Sequence, residues 1–375
     1  MTLNTEIQKH RSEIFSEGYS MSIGELISLY ENEEIDIHPE FQRFFRWNHT
    51  QKSRLVESLL LGIPIPSIFV SQRADGVWDV IDGLQRLSTV FELVGLLKND
   101  KGKALTPLVM TKTKYLPSLE GKTWDDSNGK GIGRENQLLI KRSKIDVKII
   151  LRESSEASKY ELFQRLNTGG SQLSDQELRN VIMIMVDPAF YRWTARLAQD
   201  EHFQSCIALS DKALAEQYDL ELVMRFLALR NLERDELRRI GELGDFLTDQ
   251  AVSFAEDKRY NKKREEAVFK KTFRFLAEQL NDNTFHKFDH SKDRYSGGFL
   301  ISAFEVFAIG FSMYIQDPRV TSVGINLNEM AQALWKDSRF TNSTGSGIRA
   351  STRIPNVIPY AREFFEAWLS EPKKN

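Results

Sequence analysis

The sequence holds one cysteine, Cys206, so no disulfide can form within the chain and no thiol-rich zinc cluster can be assembled. A reducing compartment follows, and the cytoplasm is the expected location. Histidine is scarce too, at six residues, and the only close pair is His286 and His290 in Phe-His-Lys-Phe-Asp-His. That i, i+4 pair lacks the glutamate of a zincin helix and reads as histidines at a helix end. Long apolar runs are missing: Leu59–Val70 and Phe304–Phe311 are interrupted by proline or glutamate, and Met1–Phe15 is polar. A membrane span and a signal peptide are therefore not expected. Proline and glycine, at 10 and 21, are too few for collagen-like or low-complexity chains. Charge of one sign is absent as well. Lys and Arg number 51 against 53 Asp and Glu, a formal charge of −2. No global field steers nucleic acid to the protein, and any such binding must come from local patches.

What is present, 375 residues of which 41% are hydrophobic, suffices for roughly two domains. The first half mixes strands and helices. Glu34–His38 reads as a short strand before Pro39, and Asn48 or Thr50 caps a helix carrying Leu55, Val56, Leu59 and Leu60 that stops at Gly62 and Pro64. The apolar runs Ser67–Gln72 and Val77–Ile81 flank Ala74-Asp75-Gly76, a hairpin signal. Leu87, Val90, Phe91, Val94 and Leu97 then follow helical spacing. Residues 98–136 read as a long, partly ordered insertion with Tyr115, Leu116, Leu119 and Trp124 as anchors. Ile145, Val147 and Ile149 alternate with polar residues as in a half-buried strand. A helix through Tyr160, Phe163 and Leu166 ends at Asn167-Thr168-Gly169-Gly170, and Ser174-x-x-Glu177 opens the next with a capping box. Asp187-Pro188 closes the half. From Phe190 the pattern is helical almost throughout, broken by a loop over Asp337–Arg353 and ending in a helix near Pro355–Leu369. The fold class expected is α+β for residues 1–187, followed by an all-α domain over 188–375.

Five constellations could carry chemistry. In Ile81-Asp82-Gly83-Leu84-Gln85-Arg86 a strand ends, a glycine turns the chain and a helix begins. Free N–H groups at that helix start could cradle a phosphate, with Arg86 beside them. Arg86 could equally pair with Asp82 or Glu40 and brace the turn. Pro39–Trp47 packs Gln42, Arg43 and Arg46 among four aromatics, which suits base stacking and phosphate contact or a hydrophobic lead into the next helix. Arg165, Asn167 and Thr168 could join the same pocket, or simply end a helix. Lys258, Arg259, Lys262, Lys263, Arg264, Lys270, Lys271 and Arg274 form a dense basic stretch that could track a nucleic-acid backbone. Phe269 and Phe273 in its midst also fit a solvated helix face over a buried stripe. Arg349 and Arg353, beside the Ser/Gly loop, could hold an anion or simply belong to a flexible linker.

Taken in order, Gln42-Arg43, Trp47, Gly62-x-Pro64-x-Pro66, Asp82-Gly83-Leu84-Gln85-Arg86 and Leu162-Phe163-x-x-Leu166-Asn167-Thr168-Gly169-Gly170 through Glu177-Leu178-Arg179 resemble one family. It is the N-terminal domain of GmrSD-type restriction endonucleases, a ParB/sulfiredoxin-like domain widespread in bacterial anti-phage systems. The resemblance covers roughly the first half of the chain. It implies binding and hydrolysis of an NTP, with Mg²⁺, in a system that cleaves modified or foreign DNA. Carried over, Asp82, Gln85 and Arg86 would be catalytic. Gln42, Arg43, Asp82, Gly83, Gln85, Arg86, Arg165, Asn167 and Thr168 would hold the nucleotide, with ATP, GTP and CTP all open. The family's signature is Asp-Gly-Gln-Gln-Arg, and here Leu84 replaces the first glutamine. Leu84 also stands where sulfiredoxin has its cysteine, so sulfinic acid reduction is excluded. A His-Asn-His nuclease domain is not evident, so cleavage would need a partner nuclease or effector, with Lys262, Lys263, Arg264, Lys270 and Lys271 contacting DNA. The alternative is a non-catalytic DNA-binding or scaffold protein with a vestigial nucleotide site.

Overall fold

A computed structural model describes residues 2–5, 15–37, 47–99, 102–125, 129–154, 174–322, 324–345 and 347–370. The chain divides into two compact units, residues 1–173 and 174–375. In the first, a five-stranded sheet is built from β1 (Ser16–Ser22), β2 (Ile35–Asp36), β3 (Ile68–Gln72), β4 (Trp78–Asp82) and β5 (Lys144–Ile150) in the order β1-β5-β3-β4-β2. β1 and β5 run antiparallel, as do β3 and β4, while β5/β3 and β4/β2 are parallel. Alternation sets the buried face: Ile145, Val147 and Ile149 of β5 point inward, with Ile68 and Val70 beside them in β3. The expected hairpin is there, turning at Gly76 with φ +90°. The expected strand at Glu34–His38 is shorter, its described part being Ile35–Asp36. It is held by Arg73, which joins Asp36 to both carboxylate oxygens of Asp79.

Helices α1 (Ile23–Glu31), α2 (His49–Leu61), α3 (Leu84–Leu93) and α4 (Arg134–Arg142) surround this sheet. Asn48 and Gln51 form a capping box at the start of α2, and Gly62 ends it in the left-handed conformation at φ +67°. α3 stops at Leu93, so Leu97 is buried by an irregular segment and not by the helical continuation its spacing suggests. The segment around residues 98–136 is tied to α2 along its length. The Ser53 hydroxyl accepts from Thr111 N at 2.9 Å, and the Glu57 carboxylate accepts from Tyr115 N at 2.7 Å and Leu116 N at 3.0 Å. Leu108, Met110, Leu119, Trp124 and Ile132 are buried, whereas Tyr115, expected as an anchor, is exposed.

The second unit is helical. Its principal helices are α5 (Asp175–Val186), α6 (Pro188–Ala198), α7 (Tyr218–Leu229), α8 (Leu243–Glu256), α9 (Lys262–Gln279), α10 (Leu327–Lys336) and α11 (Ala350–Ser370). The capping box of Ser174 and Glu177 starts α5, and the Asp187 side chain caps α6. Because α5 packs on α6 and α8, it joins this unit, and the division falls ahead of residue 187. The core is aromatic: Phe203, Phe226, Phe269 and Phe273 are fully buried with ring centroids 4.5–5.7 Å apart. An all-α unit was expected, yet Lys287–Asp289 and Arg294–Ser296 pair as a small antiparallel hairpin. His286 and His290 therefore flank a strand and do not sit at a helix end, and the His290 ring bonds the Gln332 carbonyl at 3.0 Å. Much of the expected loop 337–353 is helical at its two ends, and α11 runs through Pro355 and Pro359. Among the described residues no helix is long and apolar enough to cross a membrane.

Burial alone would raise the pKa of Glu57, but the Thr113 hydroxyl and the Tyr115 and Leu116 N–H groups outweigh it and hold the carboxyl below its ordinary value. Its stabilising contribution is therefore present above the unfolded-state pKa and is lost as pH falls through the folded-state value. Glu57→Gln is expected to lower unfolding free energy by about 1–3 kcal/mol at neutral pH and by less in acid. Urea unfolding followed across the acid range measures the difference between the two chains.

Candidate functional site

Strand β4 ends at Asp82 and α3 begins at Leu84, so one residue must reverse the chain. Gly83 does so at φ +96°, a conformation that side-chain-bearing residues rarely adopt. Space is short as well: a Cβ there would lie 2.8 Å from Ile68 Cγ1 and 3.2 Å from a terminal nitrogen of Arg86. Asp82 folds over the turn, one oxygen accepting from Gly83 N at 2.7 Å and the other from the Arg86 guanidinium at 2.9 Å. A second Arg86 nitrogen donates to the Pro66 carbonyl at 2.9 Å. Arg86 thus braces the turn to the segment that enters β3, which is the plainer of its two readings.

The start of α3 nevertheless keeps anion-binding character. Gly83 offers no side-chain cap, so the first-turn N–H groups lack a capping acceptor at the positive end of the helix dipole, with the Arg86 guanidinium close by. Gln85 faces another segment: its side-chain oxygen accepts from Trp47 N at 3.0 Å, which brings the end of the Pro39–Trp47 cluster to this turn. Leu84 is buried, so the residue that departs from the family signature packs in the interior and offers nothing to a ligand. Of the residues predicted from sequence, Asp82, Gly83, Gln85 and Arg86 therefore stand together. Gln42, Arg43, Arg165, Asn167 and Thr168 lie outside the described residues. Among the described residues there is no group of three or more His, Cys, Asp or Glu arranged to hold a metal.

The basic stretch lies on α9 and is less uniform than its sequence suggests. Lys262 is half-buried, 3.3 Å from Asp187 and over the Phe190 ring, and Lys270 pairs with Glu266 at 2.7 Å. Lys263, Arg264, Lys271 and Arg274 are exposed on one side of the helix, opposite the buried Phe269 and Phe273. These four make no ion pair among the described residues. Arg353 is committed to a buried carboxylate, donating to both oxygens of Glu305 at 2.9 Å, whereas Arg349 is exposed at the start of α11.

Residues 23–184 match the family model described as "GmrSD restriction endonuclease, N-terminal domain". This segment is similar to GmrSD-type N-terminal domains. The match begins at the first residue of α1, takes in the whole Asp82–Arg86 turn and ends within α5. No curated protein matches the chain. A solved structure of a Pnob8-like ParB-N domain is similar at 14% identity with a TM-score of 0.24, over 96% of this chain and 99% of that one. The match covers a little under half of the sequence and leaves most of the helical unit outside it.

Two glycines at positive φ separate backbone strain from close packing. Nothing lies within 4 Å of a Cβ on Gly62, while one on Gly83 strikes Ile68. Gly62→Ala is expected to cost about 1 kcal/mol and Gly83→Ala roughly 3 kcal/mol or more. Equilibrium denaturation of both variants measures this, and equal losses would show that the contact with Ile68 is soft.

Proposed function

We propose that this protein is a nucleotide-responsive component of a bacterial restriction-type DNA defence system, acting with a partner nuclease or effector. The observation that carries the reading is the uncapped start of α3 beside Arg86, set within a GmrSD-type domain. A nucleoside triphosphate bound there would present its phosphates to the first-turn N–H groups, with Arg86 supplying charge and Gly83 permitting backbone approach. Gln85 orients the chain that follows the Gln42-Arg43 segment, and Asp82 holds Arg86 in place until phosphate competes for it. When bound with Mg²⁺, the nucleotide brings a hydrolysable phosphoanhydride to these groups. DNA contact falls to the free cations of α9, where Lys263, Arg264, Lys271 and Arg274 share one solvated face.

A second reading has its own observations. Arg86 already has two acceptors, and Leu84 is buried, so the turn is complete without a ligand. On that reading the nucleotide site is vestigial, and the chain is a DNA-binding or scaffold protein.

Calorimetry with ATP, GTP and CTP in the presence of Mg²⁺ separates the two. The first reading expects binding of at least one nucleotide, weakened about tenfold or more by Arg86→Ala. Binding of none by the wild-type chain makes the second reading correct. Because Arg86→Ala also removes two charge-assisted bonds, it should lower stability by about 1.5–3 kcal/mol, so the comparison is made well below its melting temperature.

Exchanging Lys263, Arg264 and Lys271 for Glu tests the DNA surface directly. Affinity for duplex DNA should fall, and the slope of log K against log salt should shrink by roughly 0.9 for each phosphate that is no longer neutralised. An unchanged slope in fluorescence anisotropy titrations removes α9 from the interface.

A further inference from the structure

The helical unit carries a half-open cavity of about 540 Å³ between the starts of α5, α8 and α11 and the flank of α7. Its charged lining is Asp175, Arg179, Glu221, Arg225, Glu242 and Arg349. The volume falls inside the range of small-molecule sites, about 300–1,000 Å³. We infer that this cavity binds a phosphate-bearing small molecule, at a site independent of the Asp82–Arg86 turn.

The balance of charge inside the wall carries the inference. Arg225 pairs with Glu221 at 2.6 Å and stands 3.9 Å from Glu305, which is fully buried and holds Arg353 through two bonds of 2.9 Å. Together with Arg179, these side chains make three guanidiniums against two carboxylates. The excess charge is that of Arg179, whose side chain is fully inaccessible and makes no ion pair among the described residues. It bonds only neutral acceptors, the Gln176 side chain and the Gly244 carbonyl, the latter at 3.1 Å. Burial lowers its pKa, but only to about 10, so it is charged at neutral pH. Two guanidinium nitrogens on this wall, Arg179 Nε and Arg225 Nη1, have no hydrogen-bond partner. Buried donors of that kind are rare without a ligand or solvent to satisfy them.

Helix geometry points the same way. α8 and α11 are 14 and 21 residues long, and both begin on the cavity, at Leu243-Gly244 and Ala350-Ser351. The cap of α8, Glu242, makes no side-chain capping bond, so first-turn N–H groups stay open. Arg349 adds an exposed cation at the start of α11. Glu221 and the exposed Asp175 act on the buried Arg179 through space, but no carboxylate among the described residues stands within ion-pair distance of it. A phosphate ester, with several acceptor oxygens and one or two negative charges, matches the exposed Arg349 guanidinium and two helix starts, with the buried Arg179 guanidinium supplying uncompensated positive charge behind them.

Titration calorimetry of the full chain with inorganic pyrophosphate and with AMP tests this. Saturable binding is expected in both the wild-type and the Arg86→Ala chains, and in the Arg86→Ala chain it is weakened about tenfold or more by Arg349→Ala and by Arg179→Gln. Pyrophosphate binding alone identifies a compact polyphosphate, and AMP competing with pyrophosphate identifies a nucleotide; both support the site. If Arg179→Gln loses its far-ultraviolet circular dichroism, the exposed Arg349→Glu decides the matter. The inference is overturned by the absence of saturable binding at millimolar probe, which is the result for a water-filled cavity. Binding that survives Arg349→Glu, or that disappears with Arg86→Ala, also overturns it by placing the ligand elsewhere.

Discussion

The first unit depends on one left-handed residue. Gly83 lets β4 become α3 without an intervening loop, and its missing Cβ leaves room for Ile68, the first residue of β3 and fully buried. Arg86 then returns one helical turn later to Asp82 and reaches the Pro66 carbonyl just ahead of β3. The end of one central strand, the start of its neighbour and the first turn of a helix are fixed by the same few atoms. A ligand at this turn meets a rigid frame, because any shift of the helix start would break the Asp82 pair and press Gly83 against Ile68. The proposed anion would use the same geometry that braces the fold, through the N–H groups that the turn leaves uncapped.

Arginine is handled differently in the two units, and the difference bears on function. Arg73 and Arg86 each find a carboxylate within a few residues, as local sequence allows. Arg179 finds none, although complete burial makes an unpaired charge costly. Its two acceptors are uncharged, and one is the carbonyl of the second residue of α8, so the guanidinium ties α5 to the start of another helix. The Glu305 carboxylate meanwhile holds Arg353 at the head of a six-residue π-helical segment, Glu305–Gly310, a local widening that recurs at functional sites. Charges arranged with this much geometric commitment are poorly explained by solubility alone.

Much of the architecture was legible because the signals were local. Asp75-Gly76 between apolar runs gave the hairpin, alternation gave β5, and Ser174-x-x-Glu177 gave the start of α5. The sheet order was not legible. It rests on parallel pairings between residues nearly eighty apart, such as Ile68 with Val147, which no local pattern encodes. The segment around 98–136 looked loosely ordered because it lacks periodic apolar residues, yet backbone N–H groups bonded to Ser53 and Glu57 replace periodicity as its anchor. The turn at Asp82–Arg86 could be found from sequence because glycine and arginine at a strand–helix junction have few other uses. The cavity could not. In sequence Arg179 is legible only as the end of the Glu177-Leu178-Arg179 motif, and nothing in the order of residues tells that its neighbours will bury it.

A formal charge of −2 averages over very different fates for the same residue types. Lys262 and Lys263 are adjacent, but the first is folded against Asp187 and Phe190 while the second faces solvent, because a helix turns about 100° per residue. A count of basic residues along α9 overstates the surface available to a polyanion, and the geometry reduces it to one stripe of four. The reverse holds in the cavity, where a balanced lining of three acids and three arginines conceals a buried imbalance of one. Local field, set by which charges keep water and which lose it, decides where an anion can bind. In this chain the free cations, the buried unpaired guanidinium and the uncapped helix starts are the positions that the neutral total hides.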